Sequence, residues 1–515
     1  MHLFILLIAS FLLVGPSSPL LGEASPKLRA IYSSIPPKAL LEHLAFYSLY
    51  PDSEEGKRAL VDALKLAGAG IQDPFFAKKA PLLIDSLKHA LLLIHRGRPE
   101  EAAPLTPEEV ASIDKLAFSL QNRKLKGRVA QTEQEVLVLP PEEIDLARGL
   151  LLSQLGSESL DAIRSYEAVL DLMALSIRAK LKKNSAPKDV IHAINAFIFD
   201  EMGYRFPPLS SFEKKVDTYT FLSSVLDSRK GVCLGVSILY LCLADRLGIP
   251  MEIVTPPGHI FVRYRDALSH INIETTARGI HLDDEEYLSV GTKALQKRNV
   301  KEVIGLAHVN QASVFWETGE LTQAMAYYKK AENYLPDDLL LKELMGYALF
   351  AKGEKEESYR LLQTVQERKN PYLVSIHTLV DDCLQGNATP SGVLALFMRV
   401  DETNESIAKK REALETALQE SPRFKSALFA LALNTLNEQK LKAGLKLLLD
   451  YHALYPEDPA AEYYLSMLLL MRYRLQESWR HLEIAEALAL REDHSPRALK
   501  ELRKELEKRC PKGCR

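Results

Sequence analysis

The chain has 515 residues, 47% hydrophobic and 26% charged, which fits an ordinary globular protein of three or four domain-sized units and excludes a disordered or fibrous one. Lys+Arg 65 against Asp+Glu 68 leaves a net charge of -3, without the basic field that a nucleic-acid binder uses to displace phosphate counterions. Five cysteines are too few for a disulfide scaffold, so packing must hold the fold together.

Leu3 to Val14 (LFILLIASFLLV) is apolar apart from Ser10 and uncharged. It is shorter than the roughly 20 residues a membrane-spanning helix needs, and it matches the core of a secretory signal. Gly15-Pro16-Ser17-Ser18-Pro19 follows, and Gly22 and Ala24 supply the small residues of a cleavage site. Residues 1–24 are therefore expected to be a signal peptide, with an uncleaved anchor as the variant. The expected location is the periplasm or cell envelope, or outside the cell. No further apolar run of about 20 residues follows, so no other membrane span is expected.

Residues 25–159 carry helical periodicity, with apolar residues recurring every three or four positions in Leu40–Tyr47, Arg58–Ala67 and Leu82–Ile94. Thr106-Pro107-Glu108-Glu109 is a capping box with Pro at the first helical position, and Pro140-Pro141-Glu142-Glu143 reads as a similar start to a helix through Leu152. Lys65-Leu66-Ala67-Gly68-Ala69-Gly70 has two of the glycines of a phosphate loop, but it lacks the third and follows a helix. No cofactor is expected.

Residues 160–295 change character. Helical stretches at Ile163–Leu181 and Asp189–Met202 precede an apolar helix, Leu234–Leu247, which Gly248 should end. Strand-like runs follow at Met251–Thr255, Ile260–Tyr264 and His270–Glu274, an α+β pattern.

From residue 300 onward the chain repeats. Gly319 and Gly353 are 34 residues apart, as are Ala324 and Ser358, Ala432 and Ser466, and Gly444 and Ser478. A 34-residue period with small residues at close helix crossings is the tetratricopeptide signature. Residues 373–424 are expected to hold one or two degenerate repeats, ending near Ala417 and Pro422. A last helix from Ser495-Pro496, with Leu499, Leu502 and Leu506 on one face, would cap the stack. Mainly α, with one small α+β core, is the expected fold class.

Chemistry points to Cys233, His259 and Glu274. Cys233 opens an apolar helix, where unpaired N–H groups and the dipole favour a thiolate. His259 precedes one strand and Glu274 ends its neighbour, so a hairpin can set them side by side, giving nucleophile, base and orienting carboxylate. Asn272, two residues before Glu274, is an alternative orienter. Cys242 is expected in the core, and His270 and His281 on the surface. There is no His-Glu-x-x-His, and Cys510 and Cys514 lack a second ligand pair, so no metal is expected.

The stretch SSVLDSRKGVCLGVSILYLCLADRLGIP, with PPGHIFVRY and INIETTARG, resembles the transglutaminase-like superfamily, most of all the bacterial branch in which repeats follow the core. The resemblance covers roughly 160–290 and implies a papain-like core. It places the superfamily's Cys, His and acidic residue on Cys233, His259 and Glu274. Leu234 stands where transglutaminases often have Trp, and Glu274 where Asp is commoner. Two functional readings stay open: a cysteine acyl-transfer enzyme, or an inactive scaffold. Under both, a protein or peptide partner in the repeat groove is expected.

Overall fold

The computed structural model describes residues 26–67, 85–87, 89–90, 93–94 and 103–510, except 183, 208–215, 375–377 and 402. The expected signal segment, Gly68–Gly70, most of 68–102 and Cys514 lie outside the described residues. Two compact units emerge. One comprises the described residues up to Arg205 with Leu222–Lys230 and Ile238–Met251; the other comprises the described part of Phe206–Phe221 with Gly231–Ser237 and the residues from Glu252 onward. The protein is mainly helical, with one small antiparallel sheet.

In the first unit, helices span Leu40–Leu49 and Glu54–Leu66. The capping box forms as the sequence predicts: the Glu109 N–H donates to Thr106 Oγ1 at 3.3 Å, and Glu109 Oε2 accepts from the Thr106 N–H at 2.8 Å. The second expected start does not hold. Pro141–Glu143 makes one 3-10 turn, and the helix begins at Leu146 (α1, Leu146–Leu155) because Asp145 caps it, accepting from the Arg148 N–H at 3.2 Å. Pro140 and Pro141 fix the entry turn, but the side-chain acceptor decides where the helix starts.

Helix α2 (Leu160–Lys180) carries Glu167 and Asp171, both fully buried. Arg148 grips Glu167 with Nε at 2.6 Å and Nη2 at 2.7 Å, and Arg128 donates to it at 2.7 Å. Asp171 pairs with Arg123 and, at 2.8 Å, with Arg246 of helix α3 (Cys233–Leu247). The core here is knitted by charge as well as packing. Gly248, at φ 75°, ends α3 as its sequence position implied.

In the second unit, β1 (Glu252–Thr255), β2 (Phe261–Arg265), β3 (His270–Ile273) and β4 (Gln296–Arg298) form a sheet in the order β3-β2-β1-β4, every pairing antiparallel. The β2–β3 register sets Val262 opposite Ile273 and Arg263 opposite Asn272.

Helical hairpins follow: α4 (Val300–Thr318) with α5 (Leu321–Glu332), and α6 (Leu339–Lys352) with α7 (Lys355–Gln366). After α8 (Thr378–Leu384), α9 (Pro390–Phe397) and α10 (Asn404–Glu420), α11 (Lys425–Asn437) pairs with α12 (Leu441–Leu454), and α13 (Pro459–Met471) with α14 (Leu475–Arg491). Each regular hairpin crosses on two small residues: Ala312 and Ala324, Gly346 and Ser358, Ala432 and Gly444, Ser466 and Ser478. A Cβ on Gly346 would meet Leu362 at 2.5 Å, and one on Gly444 would meet Leu436 at 2.4 Å. Ser466 Oγ donates to the Ser478 carbonyl at 2.9 Å, and Ser478 Oγ donates back to that of Ser466 at 2.7 Å. This is the tetratricopeptide packing mode. Helices α8 and α9, of 7 and 8 residues, interrupt the period in the region expected to be degenerate. The final helix α15 (Arg497–Arg509) buries Leu499, Leu502 and Leu506 as a cap.

The hairpin turns show one asymmetry. Gly319 and Gly353 take left-handed φ after α4 and α6, whereas Gln439 and Tyr473 do so after α11 and α13, at φ 59° and 58°. A side chain in that region costs about 1–2 kcal/mol, part of which glycine's own entropy offsets. Gln439→Gly should therefore stabilise the protein by about 0.5–1 kcal/mol, read as a higher denaturation midpoint at unchanged slope.

Candidate active site

Cys233 is the first residue of α3, and Val232 before it is held by its N–H donating to the Tyr219 carbonyl at 3.1 Å. The first N–H groups of a helix have no intrahelical acceptor, so the sulfur sits beside free donors and the positive end of the dipole. Cys233 is half-buried, whereas Cys242 and Cys383 are buried. Burial pushes the Cys242 and Cys383 thiols well above the ordinary range, in keeping with core roles.

His259 leaves the turn Pro256-Pro257-Gly258, where Gly258 takes φ 70°, and stands at the entrance to β2. Its Nε2 donates to Glu274 Oε2 at 2.7 Å, and the Cys233 thiol lies near enough to favour a charged ring. His259 and Glu274 are thus hydrogen-bonded, with Cys233 beside them. Burial works against a charged imidazole. The hydrogen bonds and charges of Cys233 and Glu274 outweigh it and push His259 up to about 10.

Glu274 is buried and fully used. Beside His259 it accepts from Tyr287 OH at 2.9 Å on Oε2, and from the Thr276 N–H at 3.1 Å and the Thr276 hydroxyl on Oε1. Burial raises its pKa, and the bonds from His259 and Thr276 more than reverse this, holding it below the usual carboxylate range. Both oxygens are fixed by these bonds.

Asn272 is not the orienter. Its Oδ1 accepts from Arg263 Nε at 2.7 Å, and its Nδ2 donates to the Leu282 carbonyl and to Asp284, each at 2.7 Å. Asn272 is thus fully engaged by Arg263, Leu282 and Asp284, while Glu274 takes His259. Glu274, still extended and bridged to Ile280, caps the Thr275–Ala277 turn. His270 and His281 lie partly exposed beside Asp284 and Asp283, and His281 Nδ1 accepts from the Asn272 N–H at 3.0 Å.

Sequence reasoning missed three supporting residues. Tyr287 stacks on His259 and on Phe261, with centroids at 6.0 and 4.2 Å, so the imidazole is backed by an aromatic plane. Thr276 fixes the carboxylate. Thr275 Oγ1 reaches the Cys233 carbonyl at 3.4 Å and Ser237 Oγ at 3.0 Å, tying the end of the hairpin to the first turn of α3. The adjacency of Thr275 and Thr276 to Glu274 was a usable signal. Tyr287, in a loop without periodicity, offered none.

Residues 164–314 match the family model of the transglutaminase-like superfamily. The mouse (Mus musculus) F-box only protein 21 is 28% identical over 109 residues, covering 19% of this chain and 16% of the relative. A UPF0162 protein of Xylella fastidiosa (strain Temecula1 / ATCC 700964) is 24% identical over 139 residues, covering 27% of this chain and 46% of the relative. The chain thus spans less than half the length of these curated relatives. Among solved structures, it is similar to the thermophilic TPR protein TTC0263 of Thermus thermophilus, at 16% identity and TM-score 0.20, over 40% of this chain and 97% of that one. MamA from Desulfovibrio magneticus RS-1 gives 17% identity and TM-score 0.18, over 36% and 94%. At those scores the likeness carries no weight, and the repeat assignment stands on the helix crossings described above.

Proposed function

We propose that the region 160–295 is a cysteine acyl-transfer centre and that the repeats of 300–515 select its protein or peptide target. The observation that carries this reading is His259 held by Glu274 at 2.7 Å, beside Cys233 at the first position of α3. The Cys233 thiolate attacks an amide carbonyl, and the backbone N–H of Cys233 receives the developing oxyanion. The C–N bond breaks as His259 gives its proton to the leaving amine, which leaves an acyl thioester. Water or a second amine then attacks, His259 takes its proton, and the C–S bond breaks to restore the thiolate. Glu274, held by Thr276 and Tyr287, keeps the imidazole in the tautomer that presents its other nitrogen to sulfur. Export, by the segment 1–24, is part of the same proposal. No helix among the described residues is long and apolar enough to cross a membrane.

The test is alkylation of the full chain by iodoacetamide across pH 5–10, followed by peptide mapping, with His259→Ala alongside. Buried Cys242 and Cys383 serve as slow internal references. The expected result is modification of Cys233 much faster than of Cys242 or Cys383, slowed about tenfold or more without His259. Equal and slow alkylation in both proteins would remove the enzyme reading and leave the scaffold, in which the repeats alone act.

A further inference from the structure

Three residues of the last hairpins depart from the packing logic of their neighbours. Glu462 lies in the first turn of α13, His452 in the last turn of α12, and His481 in α14. The Ser466–Ser478 crossing brings α13 and α14 close, and Glu462 and His481 meet about one turn away from it. Both imidazoles turn Nδ1 toward the one carboxylate: His481 Nδ1 lies 2.7 Å from Oε2, and His452 Nδ1 contacts Oε1. The rings are 5.3 Å apart and nearly perpendicular, and the three donor atoms all lie within 4.8 Å of one another.

The preceding repeat shows what this place holds when it only packs. Thirty-four residues before His452, Glu462 and His481 stand Leu418, Leu428 and Leu447. Those three leucines belong to one apolar cluster with Tyr451 and Ala461. One period later the same cluster is two imidazoles and a carboxylate. A fully buried carboxylate requires compensation, and among the described residues the ion-pair partners of Glu462 are these two histidines, with no Lys or Arg. A cation held between the three groups would supply that compensation.

We infer that His452, Glu462 and His481 form a binding site for a divalent first-row transition metal, zinc by preference. Two imidazoles and one carboxylate are the donor set of three-ligand zinc sites, which keep a fourth position for water or a ligand. Tetrahedral donors around zinc lie roughly 3.4 Å apart, so the two N···O contacts would open slightly as the metal displaces the Nδ1 protons. The solvent-side position falls to His452, whose side chain is 29% exposed against 10% for His481 and 0% for Glu462. The bound ion would pin α12 to α13 and α14, joining two successive repeats. Sequence spacing did not reveal the site because its ligands come from three helices and follow no short motif.

The experiment uses the full chain carrying Cys233→Ser, since a Cys–His pair could itself hold zinc. After chelation and dialysis, zinc is added, excess is removed by gel filtration, and bound metal is measured by elemental analysis; Co²⁺ is added in parallel as a spectroscopic probe. The expected result is one equivalent per chain, a visible Co²⁺ spectrum of a four- or five-coordinate site, and a zinc-dependent rise in Tm. His452→Ala should lose all three. Should that variant misfold, the triple variant His452→Leu, Glu462→Leu, His481→Leu restores the residues of the preceding repeat and should fold without binding metal. Failure of the Cys233→Ser protein to retain zinc, or retention that survives the triple replacement, would overturn the assignment and leave a proton-shared hydrogen-bond cluster.

Discussion

In the wild-type protein the His259 ring should stay protonated through pH 8 and give up its proton only near pH 10, rather than near 6.5. Burial alone would push the other way, so the result depends on Cys233 and Glu274. The sign follows from the shift: a raised value keeps the imidazolium below about 10, and the pair loses its positive member as pH climbs through that value. Cys233→Ala removes one of the two stabilising partners and should lower the titration midpoint by about 1–3 pH units. Glu274→Gln should lower it as well. The double variant, left with burial as the dominant influence, should fall to the ordinary value or below. Ring ¹⁵N and ¹³C shifts of selectively labelled histidine, assigned by comparison with His259→Gln, would report each midpoint. A wild-type ring that titrates near 6.5 and ignores the loss of Cys233 would mean that the sulfur and imidazole are neighbours without being a pair. The same spectra report the tautomer, because the Nε2–H bond to Glu274 leaves Nδ1 to face the sulfur.

The site and the repeats were legible to different depths. Cys233, His259 and Glu274 could be read because each sits at an element boundary: a helix start, a strand start and a strand end. Boundaries are where side chains from different elements converge. The repeats could be read because the small residues at their crossings recur with a fixed period, and steric exclusion such as that between Gly444 and Leu436 enforces it. Asn272 against Glu274 could not be decided, since what separates them is their partners, and those of Asn272 come from a neighbouring strand and a later loop. The helix start at Asp145 was misplaced because two prolines are a louder signal than one buried carboxylate. The charged core of the first unit was invisible for a related reason. Glu167 and Asp171 look like the polar face of an amphipathic helix until Arg128, Arg148 and Arg246, from separate segments, are folded onto them.

That charged core yields the largest stability effect expected. Arg246 is 1% exposed, and its Nε donates to Asp171 Oδ1 at 2.8 Å while its Nη1 donates to the Cys242 carbonyl at 3.0 Å. Burial disfavours its charge, and Asp171 and Asp145 overcome that penalty. Asp171→Ala removes the main partner but leaves the guanidinium inside. Breaking one side of a buried pair costs about 3–5 kcal/mol, so the first thermal transition should fall by roughly 10 °C, given 2–4 °C per kcal/mol for units of this size. Arg123 also loses a contact, but it keeps Asp114 at 2.8 Å and reaches solvent, so its contribution should be small. The double variant Asp171→Leu, Arg246→Met separates the explanations. If the cost lies in the stranded charge, replacing both groups by apolar side chains should recover most of the lost stability, since buried pairs often exchange for apolar packing at little net cost. If the pair instead fixes how α2 and α3 dock, the double variant should stay as unstable as the single one. An Asp171→Ala protein destabilised by less than about 1 kcal/mol would show that Arg246 finds water or Asp145 once its partner is gone, and that the network carries less than its burial implies.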